Sequence, residues 1–218
     1  MYAGKAILKI NPYIVPTNQT MRYLTLILLF ASLNCLAQSH KAQIDAFREK
    51  YKNDFLTEKN SPLKKEDLQY LRFYDADSTY RVNAKVELVS NAATFMMPTF
   101  IGAAQEYLPY ARLKFTLNGT SQTLTVYRST SLMNVAEYKD YLFLPFTDAT
   151  NGSDTYGGGR YIDIREGEIK NGALALDFNK AYNPYCAFSP LYSCPKPPAE
   201  NQLAVAVRAG EKLFGKGH

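Results

Sequence analysis

Four carboxylates carry most of the chemistry open to this chain: Asp163, Asp177, Glu200 and Glu211. Paired carboxyl groups can serve as acid and base when their surroundings push their pKa values apart. Histidine offers no competing route. The chain has two, His40 and His218, and both are expected in frayed ends, one at the start of the mature chain and the other at its last residue. A Ser-His-Asp triad, a Cys-His pair and an HExxH zinc site each need a histidine on an ordered element. Asp, Glu, Tyr, Lys or Arg must therefore carry any proton transfer.

Two dense stretches surround these carboxylates. The first, FTDATNGSDTYGGGRYIDI at 146–164, ends in Arg160, Tyr161 and Asp163. Its glycines lack a following Lys-Ser/Thr and lead into a strand pattern, so they read as a sharply bent connection and not as a phosphate loop. Asp148, Asn151 and Asp154 offer oxygen ligands to Ca²⁺, at a spacing that misses the EF-hand pattern. Arg160 suits a two-pronged contact with a carboxylate, either a ligand's or the protein's own, for example Asp177 or Glu200. Alternation places Arg160 and Ile162 on one strand face and Tyr161 and Asp163 on the other.

The second stretch is DFNKAYNPYCAFSPLYSCPKPPAEN at 177–201. Its prolines fix φ repeatedly and forbid regular helix. A long, rigid, tyrosine-rich loop results, and such loops are often functional. Tyr156, Arg160, Tyr161, Asn179, Tyr182, Asn183 and Asn201 are the candidate ligand-binding residues, framing a polar pocket between the two stretches. Cys186 and Cys194 are expected as a disulfide if the chain is exported, a bridge that would stabilise the fold by roughly 2–3 kcal/mol.

The elements that must position these residues are mostly strands. HKAQIDAFREKYKNDFLTEK reads as an amphipathic helix, with Ile44, Phe47, Tyr51 and Phe55 at three- and four-residue steps. Ser61-Pro62 is expected to open a second short helix running towards Leu68. From Tyr80 the period turns alternating, with Tyr80, Val82, Ala84, Val86 and Leu88 on one face. ARLKFTLNGTSQTLTVYR predicts a hairpin turning at Asn118-Gly119, where both positions tolerate positive φ. Further strands are expected over Lys139–Phe146, Arg160–Arg165, Ala173–Phe178 and Leu203–Arg208. The fold class is mainly β, α+β at the edges: an antiparallel β-sandwich or partly open barrel with an N-terminal helical segment. Residues 38–70 form that helical segment, and residues 71–218 the β-rich remainder of the same domain.

Charge narrows the partners. The net charge of +5 includes Lys5, Lys9 and Arg22 in a leader without acids, leaving 22 basic and 20 acidic residues in the remainder. No concentrated basic face is present, so a nucleic-acid partner is not expected. Residues 1–37 read as an export signal: Met21 and Arg22 precede an apolar run from Tyr23 to Leu33, with cleavage after Ala37. That run is too short for a transmembrane helix. Residues 1–20 then lie upstream of the start that the signal implies, and a lipoprotein anchored at Cys35 is the rival to a periplasmic or secreted protein.

The joint pattern of TYGGGRY, DFNKAYNPYC, CPKPPAEN and AGE, with FYDADSTYRV near Tyr80, resembles the bacterial and archaeal "domain of unknown function 1684" family over residues 41–212. The resemblance implies a β-rich domain and transfers no catalytic role. Members without an export signal also carry the cysteine pair, which leaves room for metal or thiol chemistry there. Three function classes follow: a module binding a small polar ligand, a histidine-free carboxylate-dependent enzyme of hydrolase type, and a structural protein of the cell envelope. No cofactor is strongly implied, and no oligomeric state.

Overall fold

The structure, a computed structural model, describes residues 18–216. Residues 1–17, with Gly217 and His218 at the other end, lie outside the described residues, and for most residues from Asn18 to Gln38 the backbone alone is described. Helix α1 spans Asn18–Thr57. The chain divides between Ser39 and His40 into two units, and the second, His40–His218, holds the sheet and every candidate residue. No helix among the described residues is long and apolar enough to cross a membrane.

From His40 onward α1 is amphipathic, as its spacing predicts. Ile44 and Phe55 are buried, with Phe47 and Tyr51 half-buried between them. Lys41–Asp45 and Lys50–Asp54 each form an exposed ion pair across one helical turn. Such pairs support a helix only weakly, so packing of the aromatic face fixes it in place.

Seven strands make one antiparallel sheet: β1 (Arg81–Leu88), β2 (Phe95–Met97), β3 (Gln105–Leu117), β4 (Thr120–Ser129), β5 (Tyr141–Phe146), β6 (Arg160–Arg165) and β7 (Ala173–Asp177). Their order is β6-β5-β4-β3-β1-β7, with β2 paired to β3. The sheet curls into a partly open barrel around the apolar side chains of its inner face. Leu113, Phe115, Leu124, Leu142, Leu144, Phe146, Ile162 and Leu176 fill that interior. Alternation sends the intervening Tyr127, Phe143 and Tyr161 into a second, aromatic cluster, and the irregularity of β3 between Pro109 and Ala111 brings Tyr107 to the same side. β3 and β4 meet at Asn118 and Gly119, both at positive φ (51° and 75°), as the hairpin sequence requires.

Several sequence expectations need correction. Leu203–Arg208 forms no strand; its backbone meets the Thr147 and Ala149 backbone at Leu203 and Val205, and at Val207 it donates to Asp148 and accepts from Arg160. The chain after Ser61 forms a serine turn, and a 3₁₀ helix begins only at Lys65. β2 went unforeseen because three residues give too short a pattern to read. His40 is no frayed end: it is buried, and its Nε2 lies 2.8 Å from Asp177 Oδ2. The amphipathic helix starts early enough to carry His40 against the sheet, and Asp177 supplies the acceptor that makes its burial tolerable.

Candidate functional site

A cleft of about 620 Å³ opens in the second unit. Strands β3, β5 and β6 line one side with Tyr107, Tyr141, Phe143, Tyr161 and Asp163. Helix α1 lines another with Phe47, Lys50, Tyr51, Asp54 and Phe55, joined by Glu58 just beyond its end. The loop after β7 completes it with Tyr182, Pro184, Tyr185, Tyr192 and Cys194. Aromatic rings are contiguous along these walls: Phe143–Tyr161, Tyr161–Tyr182, Tyr51–Tyr182 and Tyr185–Tyr192 have centroids 4.7, 5.9, 5.9 and 5.3 Å apart.

Asp163 is the polar centre of the cleft. Its place follows from local rules: β6 turns Arg160, Ile162 and Ile164 inward, so Tyr161 and Asp163 face outward to the cleft. The loop approaches because β6 is a sheet edge, and Tyr182 pairs with Tyr161 across it through both backbone hydrogen bonds. That pairing sets the Tyr182 side chain beside Asp163. The Tyr182 and Tyr141 hydroxyls both donate to Asp163 Oδ1, each at 2.7 Å. Oδ2 has no hydrogen-bond partner among the described residues. Asp163 keeps an accessible surface in the cleft, while the protein packed around it strips part of its hydration. That burial raises its pKa, against the pull of the two hydroxyls and of Arg165. Arg165 does not pair with it, being turned to Asp140 and to the Glu137 carbonyl.

The other cleft tyrosines are engaged too. Tyr51 donates to Glu211 Oε2 at 2.9 Å, Tyr192 to the Asn60 carbonyl at 2.7 Å and Tyr107 to Gln105 Oε1 at 3.3 Å. Tyr161 donates to the Pro195 carbonyl and Tyr185 to Glu58. Burial, reinforced by Asp163, holds Tyr141 and Tyr182 far above the ordinary tyrosine range, so both remain protonated donors.

Of the site residues singled out in the sequence, Tyr161, Asp163, Tyr182 and Cys194 line the cleft. Asn183 and Glu211 lie behind its wall: Asn183 N donates to Glu211 Oε2 at 2.8 Å, and burial pushes the Glu211 carboxyl up to about 8. The remaining candidates hold the scaffold. Arg160, fully buried, pairs with Asp148 at 2.8 Å and donates to the Val207, Ala209 and Glu211 carbonyls, so its carboxylate partner is neither Asp177 nor Glu200. Asp177 accepts from His40 and from Asn179, which also brackets Asp77 through both its amide atoms. Asn201 ties β4 to β5 through Thr125 and Pro145, and Glu200 accepts from Tyr127 at 2.7 Å.

The glycine run is a bend, as its context predicts. Gly159 adopts φ +91°, and a Cβ there would lie 2.6 Å from the Phe146 carbonyl oxygen. Asp148 Oδ1 accepts from Thr150 and Val207, and Asn151 Oδ1 from Asp148 N, while Asp154 accepts from Tyr74. Among the described residues no group of three or more His, Cys, Asp or Glu side chains is placed to hold a metal ion.

The expected Cys186–Cys194 disulfide is absent; both are free thiols. Cys194 Sγ accepts the Cys186 amide at 3.2 Å, and the Tyr156 hydroxyl lies 3.7 Å from Cys186 Sγ. A hydrogen bond from the Cys194 thiol, aided by Tyr156 and opposed by burial, lowers the Cys186 pKa to about 7, while Cys194 is pushed far up.

Sequence reasoning missed Tyr51, Phe55, Tyr107, Tyr141, Tyr185 and Tyr192 as site residues. The aromatic spacing of α1 was visible, but it reads equally well as core packing.

The family model described as "Protein of unknown function (DUF1684)" matches residues 66–212. The solution NMR structure of an uncharacterized protein from Haloarcula marismortui is similar to this chain at 33% identity, covering 80% of this chain and 95% of that one, with a TM-score of 0.63. No curated protein matches.

Proposed function

The chain belongs to the DUF1684 family, which carries no assigned activity, and from the cleft itself we propose that it is an exported protein that binds a small polar ligand there, with Asp163 as the anchor. One observation carries this reading. Two tyrosine hydroxyls converge on a single oxygen of Asp163 and leave the other free within a cavity of about 620 Å³. A carboxylate fixed in this way loses little freedom on binding, and a concave aromatic site with few oriented polar groups is the usual form of a small-molecule pocket. Export to the periplasm or beyond follows from the leader beginning at Met21, which has the basic start and short apolar run of a signal peptide.

A carboxylate-dependent enzyme is the second reading, favoured by the contact between Tyr51 in the cleft wall and the raised carboxyl of Glu211 behind it. Such a group can store a proton near the cavity.

The test is a thermal-shift panel of cationic, neutral and anionic metabolites against the full chain and its Asp163→Asn variant. A class of compound that stabilises the native protein but not the variant is expected. Equal stabilisation of both, or of neither by any compound, would overturn the binding reading. Conversion of a bound compound during the assay would select the enzyme.

A further inference from the structure

We infer that the ligand of this cleft is an organic cation, an alkylammonium head seated against the aromatic rings with its charge on Asp163. The inference rests on the binding reading and specifies its chemistry.

It follows from what the cleft can offer. Seven tyrosines line it, yet every one of their hydroxyl protons is already donated within the protein. Towards the cavity these side chains present oxygen lone pairs and ring faces. The Ser193 hydroxyl is likewise engaged, donating to the Ile101 carbonyl. Lys50 is paired with Asp54 at 2.6 Å. Lys180 and the Gln105 amide remain as donors, and Lys180 lies over the Phe47 ring at 5.9 Å. The cavity is therefore dominated by acceptors, and its occupant must bring hydrogen-bond donors or positive charge.

Charge points the same way. Four carboxylates, Asp54, Glu58, Asp163 and Glu168, line the cleft against two lysines. Asp163 has no cationic partner among the described residues, and a bound cation would supply one beside the aromatic walls. The rings favour the same ligand, because their negative faces attract ammonium groups and aromatic cages are the usual receptors of alkylated nitrogen. A carboxylate or phosphate ligand would meet like charge and few donors. The Lys180–Phe47 contact is the protein's own instance of a cation over a cleft ring.

The experiment is calorimetric titration of the full chain with choline and with butylammonium, and with 3,3-dimethyl-1-butanol as the neutral isostere of choline. Glucose and acetate serve as uncharged and anionic controls. At least one ammonium probe is expected to bind roughly tenfold tighter than its neutral counterpart. Asp163→Asn, which keeps an oxygen to accept from Tyr141 and Tyr182, should remove most of that advantage while the melting temperature holds. Equal affinity for choline and the neutral isostere, or binding of glucose or acetate alone, would overturn the cation and leave the binding site standing. No binding by any probe, with no stabilisation in the wider metabolite panel, would overturn both.

Discussion

The Tyr51 hydroxyl donates to Glu211 Oε2 at 2.9 Å, joining the cleft wall to a carboxyl group sealed in the interior. The other oxygen of Glu211 has no partner, nor has Asn183 Oδ1, although the Asn183 side chain lies against the carboxyl. Burial disfavours the charged form of Glu211 and holds its carboxyl up to about 8.

The sign of the resulting pH dependence is fixed. Glu211 has a folded-state pKa of about 8, raised from 4.5 chiefly by burial. Below the ordinary value it is protonated in both states and costs nothing. As pH rises from there towards 8, the unfolded chain releases a proton that the folded one retains, so stability falls. Glu211→Gln should remove this loss, by an amount on the order of a few kcal/mol by pH 8. Melting temperatures of both proteins from pH 5 to 8.5 would show the native curve declining more steeply; parallel curves would refute an ionisable Glu211.

Arg160 should prove structural. Its guanidinium serves Asp148 and three backbone carbonyls at once, which the point charge of a lysine cannot do. Arg160→Lys is expected to cost about 3–5 kcal/mol, the usual penalty for breaking a buried pair. Urea denaturation measures it, and a variant as stable as the native protein would contradict this placement.

His40→Ala should leave Asp177 Oδ2 buried without its partner, while Asn179 continues to donate to Oδ1. A loss of about 1–3 kcal/mol is expected by chemical denaturation. An unchanged midpoint would mean that the first turn of the second unit contributes nothing to its stability.

Cys186 should be the reactive thiol of the pair. Its alkylation by iodoacetamide, mapped by mass spectrometry, is expected to rise with pH through a midpoint near 7, well before Cys194 reacts. Tyr156→Phe removes one hydrogen bond to its sulfur and should move the midpoint upward. Equal rates at the two cysteines would show that they are not distinguished by their surroundings.

The curled sheet was legible in the sequence because its signals are local. The Asn118-Gly119 turn and the alternation of β1, β3 and β4 need only neighbouring residues to be read. The same alternation placed Tyr161 with Asp163 on the face opposite Arg160, so half of the cleft centre was set by the pleat of one strand. Loop chemistry was legible in kind but not in role. Asp177, Asn179, Asn183 and Asn201 read as ligand groups, yet each is engaged with the protein's own backbone.

What the sequence by itself determined is which residues share a strand face, where the chain turns, and which stretches cannot be regular. The tertiary structure alone decided who meets whom. Tyr141 and Tyr182 reach one carboxylate oxygen from 22 and 19 residues away, Tyr51 meets Glu211 across 160 residues, and His40 meets Asp177 across 137. Backbone sterics fix a face within a few residues. A partner is chosen by how helix, sheet edge and loop pack, and no periodicity records that choice.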